Sequence, residues 1–288
     1  DAQLNLGVMY HTGQGVPQDY KIALKWYTFA AEHGDALARF SLGFMYENGL
    51  GISEDYKTAV KWYTLAAEQG FALAQNNLGQ IHRNGQGVPQ DDKAAVKWYT
   101  LAAEQEYAIA QTNLGWMYRN GQGVPQDYKI ALKWYTFAAE QGDALAQFNL
   151  GWMYDNGLGV SEDYKIALKW YTLAAEQGNA DAQYNLGLMY KNGRGVPEDY
   201  KTAVKWYTLA AEQGDADAQS NLGVMYAQGP GVIQDNIYAH MWSSIAASSG
   251  NEKAVTNRGI IAEAMTPSQI EEAQNLAREC VKKNYEGC

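Results

Sequence analysis

Apolar positions along this chain recur on helical spacing, and polar positions separate them in a fixed order. The stretch 146–181, AQFNLGWMYDNGLGVSEDYKIALKWYTLAAEQGNAD, shows the pattern. Ala146, Leu150 and Met153 stand at i, i+4 and i+7, which predicts the apolar face of a first helix over 146–154. Asn156-Gly157 ends it, with Gly157 suited to the left-handed position after a helix. Gly159 leaves the following loop free in φ. Asp163 is the predicted N-cap of a second helix over 164–177. On that helix Ala167, Trp170, Tyr171 and Ala174 belong to a packed interface. Lys165, Lys169, Thr172 and Glu176 form a solvated stripe. Gly178 ends the second helix, and Asn179 is placed to cap the next one. No stretch alternates with period two, so strands are not expected.

The same pattern returns every 36 residues. Trp26, Trp62, Trp98, Trp134, Trp170, Trp206 and Trp242 are in register, as are Gly7, Gly43, Gly79, Gly115, Gly151, Gly187, Gly223 and Gly259. A fixed period of this length means stacked supersecondary units rather than one central core. The expected fold is therefore all-α, an α/α superhelical solenoid of antiparallel helix pairs. Seven units start at Ala2, Ala38, Ala74, Ala110, Ala146, Ala182 and Ala218 and fill 2–253. The tryptophans in register are read as core, because each is large and sits among alanines. The glycines within the first helices cost about 1 kcal/mol against alanine, so close approach of the partner helix is expected there. The third unit is irregular, with His82 and Asp92 in place of tyrosines and Glu106-Tyr107 in place of Gly-Asp. The seventh is degraded, with Pro230 in its loop and Ser243-Ser244 after its tryptophan. Segment 254–288 is the expected C-terminal cap. In it, Thr266-Pro267-Ser268-Gln269 reads as a capping box with proline at N1. Ile270, Ala273, Ala277 and Cys280 supply the apolar stripe of a last helix. VPQDYKIALKWYTFAAE occurs at 16–32 and again at 124–140, which points to duplication of a three-unit block.

The string Leu6-Gly7-Val8-Met9-Tyr10 matches the heart of a tetratricopeptide first helix. The longer pattern is Ala-x-x-x-Leu-Gly-x-Met-Tyr, then Asn-Gly-x-Gly-Val, then Ala-x-x-Trp-Tyr-x-x-Ala-Ala-Glu. It closely resembles the Sel1-like repeat family over residues 2–253. The resemblance implies a right-handed helical solenoid with first helices lining a concave face. It also implies an adaptor or scaffold role, often in bacterial envelope or secretion settings. Some members carry a disulfide within each repeat; this chain has no cysteine there.

Net charge is −10. An acidic surface repels phosphate backbones, so nucleic acid is not an expected partner. No run of about 18 apolar residues exists that could span a membrane. The chain opens at Asp1 without an initiator Met or signal peptide, and reads as a processed or trimmed product. Cys280 and Cys288 are the only cysteines. They are either two unrelated thiols or a disulfide pinning the tail, and a disulfide requires an oxidising compartment. With the settings that the family resemblance implies, a bacterial periplasmic or secreted location is expected over a cytoplasmic one.

Candidate binding residues come from comparing the units with one another. The third, seventh and tenth positions of each unit vary, and their spacing places them on one face. The third slot reads Leu4, Phe40, Asn76, Thr112, Phe148, Tyr184 and Ser220. The seventh reads Val8, Phe44, Gln80, Trp116, Trp152, Leu188 and Val224. The tenth reads His11, Glu47, Arg83, Arg119, Asp155, Lys191 and Ala227. Trp116 and Trp152 are the two tryptophans outside the register. The candidate partner site is Phe44, Arg83, Trp116, Arg119, Phe148, Trp152, Asp155, Tyr184 and Lys191, because aromatics beside arginines are the usual anchors of binding surfaces. The competing reading has these rings packed between adjacent first helices. His11, His33, His82 and His240 are scattered, and no His-Glu-x-x-His, phosphate loop or cysteine ligand set appears. No catalytic residue, metal or cofactor is therefore expected. The function expected is non-enzymatic binding of a protein or peptide partner by a chain expected to be a monomer. The alternative is a cell-wall oligosaccharide stacked on the same aromatics.

Overall fold

The computed structural model describes residues 2–288, so Asp1, with the reading of a trimmed start, lies outside the described residues. The described residues form sixteen α-helices and no strand. They fall into two units, Asp1–Asp143 and Ala144–Cys288. The first holds α1 (Ala2–Thr12), α2 (Tyr20–Glu32), α3 (Ala36–Asn48), α4 (Tyr56–Ala67), α5 (Ala72–Asn84), α6 (Asp92–Ala103), α7 (Ala108–Asn120) and α8 (Tyr128–Glu140). The second holds α9 (Ala144–Asn156), α10 (Tyr164–Glu176), α11 (Ala180–Asn192), α12 (Tyr200–Glu212), α13 (Ala216–Gln228), α14 (Asn236–Ser248), α15 (Glu252–Glu263) and α16 (Pro267–Lys282). Within each unit, odd and even helices pair as repeats, and each even helix also packs on the next odd one.

Local chemistry sets the helix ends. Asp163 accepts from the backbone N–H of Lys165 and Ile166, and Asn179 accepts from that of Ala182. These satisfy amides that a helix start leaves without partners. Because the caps sit at 35, 179 and 215, the first helices begin two residues before the alanines that set the sequence phase. Gly49 and Gly193 take the left-handed conformation after their helices. In the loop, Gly87 is required twice over. Its φ is +70°, and a Cβ there would lie 2.5–2.9 Å from the backbone and Cβ where Tyr56 meets Lys57 in the preceding repeat.

The core corrects one expectation. Six of the seven tryptophans in register are only half-buried; the tyrosine that follows each is the buried ring. On α10 the buried stripe is Ala167, Tyr171, Ala174 and Ala175, which are i, i+4, i+7 and i+8. Trp170 is turned about 100° from Tyr171 and so sits at the edge of that stripe. Each tyrosine lies over the mid-helix glycine of its own repeat. A Cβ at Gly7, Gly43, Gly79, Gly115, Gly151 or Gly187 would stand 2.5–2.9 Å from a ring carbon of Tyr27, Tyr63, Tyr99, Tyr135, Tyr171 or Tyr207. The tryptophans join repeats instead: Trp62 packs on the cluster made by α2 and α3, and Trp98 on that of α4 and α5. Only in the last repeat is the tryptophan buried. There Ser243 replaces the tyrosine, and Trp242 shares a cluster with Ala277 and Cys280 of α16.

A polar ladder reinforces the stacking. Gln75, Gln111, Gln183 and Gln219 are buried and donate to the carbonyls of Ala67, Ala103, Ala175 and Ala211. Those bonds reach back to the preceding repeat, and Gln105, Gln141 and Gln213 then donate from the far end of the same repeat to the side-chain oxygens of Gln75, Gln111 and Gln183 at 2.7–2.8 Å. Gln219 Oε1 has no such partner. The residue thirty places on, which is glutamine in those repeats, is Ser249.

Cap helices α15 and α16 both pack on α14. Thr266 and Gln269 form the capping box, with Pro267 opening α16. Cys280 and Cys288 are joined with their Cα atoms 5.6 Å apart, which folds the tail back along α16. The Gly287 N–H donates to Glu212 in α12 at 3.3 Å, which ties that tail to the last full repeats.

Candidate functional site

The three variable slots have different environments. Third-slot residues are drawn into packing: Asn76, Thr112 and Ser220 are buried, against the expectation that this slot lies on a free face. The cause is packing within the repeat and, at Asn76, against the next one. Thr112 donates to Asp143 at 3.0 Å, and Asn76 accepts from Asn113 at 3.0 Å. Phe40 lies 5.6 Å from Tyr63 and 5.2 Å from Phe71 between ring centroids. Phe148 lies 5.9 Å from Tyr171, and Tyr184 lies 5.9 Å from Tyr207. Both are half-buried and packed on the clusters of the helices that follow.

Seventh-slot residues stay nearer the surface. In the first unit Phe44 is 38% exposed and Gln80 is exposed. Trp116 is half-buried against the α6–α7 cluster. Arg83, from the repeat before, lays its guanidinium over the Trp116 ring at 4.2 Å. This stacking is favourable and holds both side chains in one arrangement. In the second unit Trp152, Leu188 and Val224 are half-buried. Trp152 packs on the α10–α11 cluster.

Tenth-slot residues surround the hydroxyl ends of the buried tyrosines. Tyr63 donates to Glu47 at 2.5 Å, and Tyr171 to Asp155 at 3.5 Å. Tyr99 and Tyr135 lie beside Arg83 and Arg119, whose charges offset part of the upward push that burial gives each phenol. Tyr99 is still raised to about 12. Burial pushes the Asp155 carboxyl above its ordinary range, against the pull of Arg194. Lys191 lies near Tyr200, Val224 and Met225 along a shallow groove. The slot thus carries Glu47, Arg83 and Arg119 in the first unit and Asp155 and Lys191 in the second.

Two surface features escaped sequence reasoning. Phe29, Leu65, Leu101 and Phe137 recur in register on second helices and are 37–46% exposed. Their spacing was visible, but it is indistinguishable from that of core. The other is a cleft of about 680 Å³ in the C-terminal cap. No group of three or more metal-ligating side chains is found among the described residues. Among the described residues no helix is long and apolar enough to cross a membrane.

Comparison with known proteins agrees with the fold. The Sel1 repeat family matches at 1–35, 36–71, 72–107, 108–143, 144–179, 180–215 and 216–251. A Sel1 repeat protein from Oxalobacter formigenes is 40% identical, with a TM-score of 0.75. That similarity covers 88% of this chain and 74% of the other. A protective antigen present in uropathogenic Escherichia coli, which displays an SLR fold, is 29% identical with a TM-score of 0.58, covering 99% of this chain and 85% of the other. No curated protein matches the chain. Sel1 repeats generally serve protein–protein interaction on a scaffold that is generally non-catalytic. With seven matched repeats in register and a relative 40% identical along most of its length, this chain belongs to the Sel1 repeat family.

Proposed function

We propose that the chain is a non-enzymatic adaptor that grips a peptide segment of a partner protein on its first-helix face, the concave side in the resemblance to tetratricopeptide units. The observation that carries this reading is the seventh slot, where Phe44 is exposed and the half-buried rings of Trp116 and Trp152 stand beside the tenth-slot charges. In the first unit Phe44 and Trp116 act as apolar anchors, and Arg83 and Arg119 meet acidic groups of the partner. In the second, Trp152 is the anchor, with Asp155 and Lys191 supplying opposite charges. Phe148 packs on the same cluster as Trp152, and Tyr184 on the next one. The Arg83–Trp116 stack is formed beforehand, which lowers the ordering cost of binding. The joined Cys280 and Cys288 support an oxidising compartment, so the proposed setting is a bacterial periplasm or the exterior.

The test is affinity capture from the producing cell, comparing wild type with Trp116→Ala/Trp152→Ala and identifying bound material by mass spectrometry. A protein held by wild type and lost from a variant with an unchanged circular dichroism spectrum supports the reading. Equal capture by both overturns it. Binding of a charged peptide should also weaken as salt rises, since exposed charges are screened within about 8 Å at physiological ionic strength. The glycan reading ranks second because Arg83 already covers one face of Trp116, leaving less ring for a sugar. Saturable, salt-insensitive oligosaccharide binding lost in the same variant would favour it instead.

A further inference from the structure

The cleft in the C-terminal cap has a chemistry unlike the rest of the chain. Helices α15 and α16 both rest on α14 but make little contact with each other, so a gap of about 680 Å³ opens between them. Ile245, Ala277 and Val281 give it apolar walls; Ile245 is buried and Val281 is 47% exposed. Arg258 comes from α15, and Arg278 and Lys282 come from α16. No Asp or Glu is among its ten lining residues, in a chain whose net charge is −10. The α14 wall adds His240, which is 3% exposed and hydrogen-bonded to Ser244 at 3.3 Å.

The other repeats show that this wall has been altered. Glu32, Glu68, Glu104, Glu140, Glu176 and Glu212 occupy one register position at the C-terminal ends of the second helices. The seventh repeat has Ser248 there. Leu24, Val60, Val96, Leu132, Leu168 and Val204 occupy another, and the seventh repeat has His240. The carboxylate that the repeat would otherwise place on the wall is gone, and a polar ring replaces an aliphatic side chain. Both changes favour an anion beside the two arginines.

We propose that this cleft binds a small amphiphilic anion of the alkyl carboxylate class. The alkyl body lies along Ile245, Ala277 and Val281, and the carboxylate is held by Arg258 and Arg278. Guanidinium groups suit carboxylates because two N–H donors match two oxygens. A volume of this size falls in the ordinary range for small-molecule sites. The site is distinct from the first-helix face and independent of the function proposed for it.

The experiment is calorimetric titration of the whole chain with decanoate below its micelle-forming concentration, with decanol and decyltrimethylammonium as matched neutral and cationic probes. Saturable binding of one decanoate, with decanol and the cation at least about tenfold weaker, is expected from loss of the charge-assisted contacts. Arg258→Gln/Arg278→Gln should weaken decanoate by a similar factor. Ser248→Glu, which restores the residue carried by six other repeats and so preserves the helix, should also weaken it. Decanol binding as tightly as decanoate, or decanoate binding unchanged by Ser248→Glu, would overturn the proposal, as would no binding by wild type.

Discussion

Single residues carry costs that can be measured. Glu106 has φ of +63°, where the equivalent Gly34, Gly70, Gly142, Gly178, Gly214 and Gly250 have +88° to +95°. A non-glycine residue there loses roughly 1–2 kcal/mol to steric crowding. Glycine returns part of that through its freer unfolded state. Glu106→Gly should therefore stabilise the chain by about 0.5–1 kcal/mol, read as a higher urea midpoint with unchanged slope. Asp155 makes a pH-dependent case. Burial raises its folded pKa above the ordinary 3.8, so the folded state holds the proton more tightly than the unfolded one. Stability then falls as pH rises from the unfolded value through the folded one. Asp155→Asn should raise stability at pH 7 and change it little below the unfolded value; an equal effect at both pH values would refute this assignment.

At the scale of elements, each repeat depends on one helix approaching another through glycine. Gly151→Leu places a branched side chain where the Tyr171 ring already stands, with a Cβ 2.8 Å from that ring. Overpacking of this kind costs roughly 1–3 kcal/mol or more, and better helix propensity returns only about 1 kcal/mol. A net loss of about 2 kcal/mol in chemical denaturation is expected; unchanged helicity and melting would show that the helices can separate cheaply. The glutamine ladder gives the opposite test. Ser249→Gln supplies Gln219 with the partner that other repeats provide, and should add about 1 kcal/mol. Hydrogen exchange should slow across α13 and α14 if the bond forms, and exchange unchanged there would mean it does not. Helix ends and pairing were legible in sequence, because Asp163, Asn179, Gly157 and Thr266 act on amides and carbonyls a few residues away. The ladder was not, because Gln75 and Gln105 are thirty residues apart and look like ordinary polar positions.

For the whole molecule, a repeat array draws stability from neighbour contacts, so damage stays local. Reducing Cys280–Cys288 releases the tail from α16, and the joined tail also bonds to Glu212. Faster hydrogen exchange is expected in α16 and near Glu212, with repeats one to four unaffected. Uniform acceleration along the chain would instead mean that the array opens as a single cooperative body. The sequence by itself determined the helix-pair repeat, its period, its caps and the residues free to vary, since these follow from local hydrogen bonding and helical periodicity. Only the tertiary structure decided that tyrosine rather than tryptophan fills each repeat. It also decided that third-slot rings are consumed by stacking, and that α15 and α16 leave a basic cleft between them. A residue's face on its own helix is fixed by 3.6-residue geometry, whereas what covers that face depends on how the next element is turned against it.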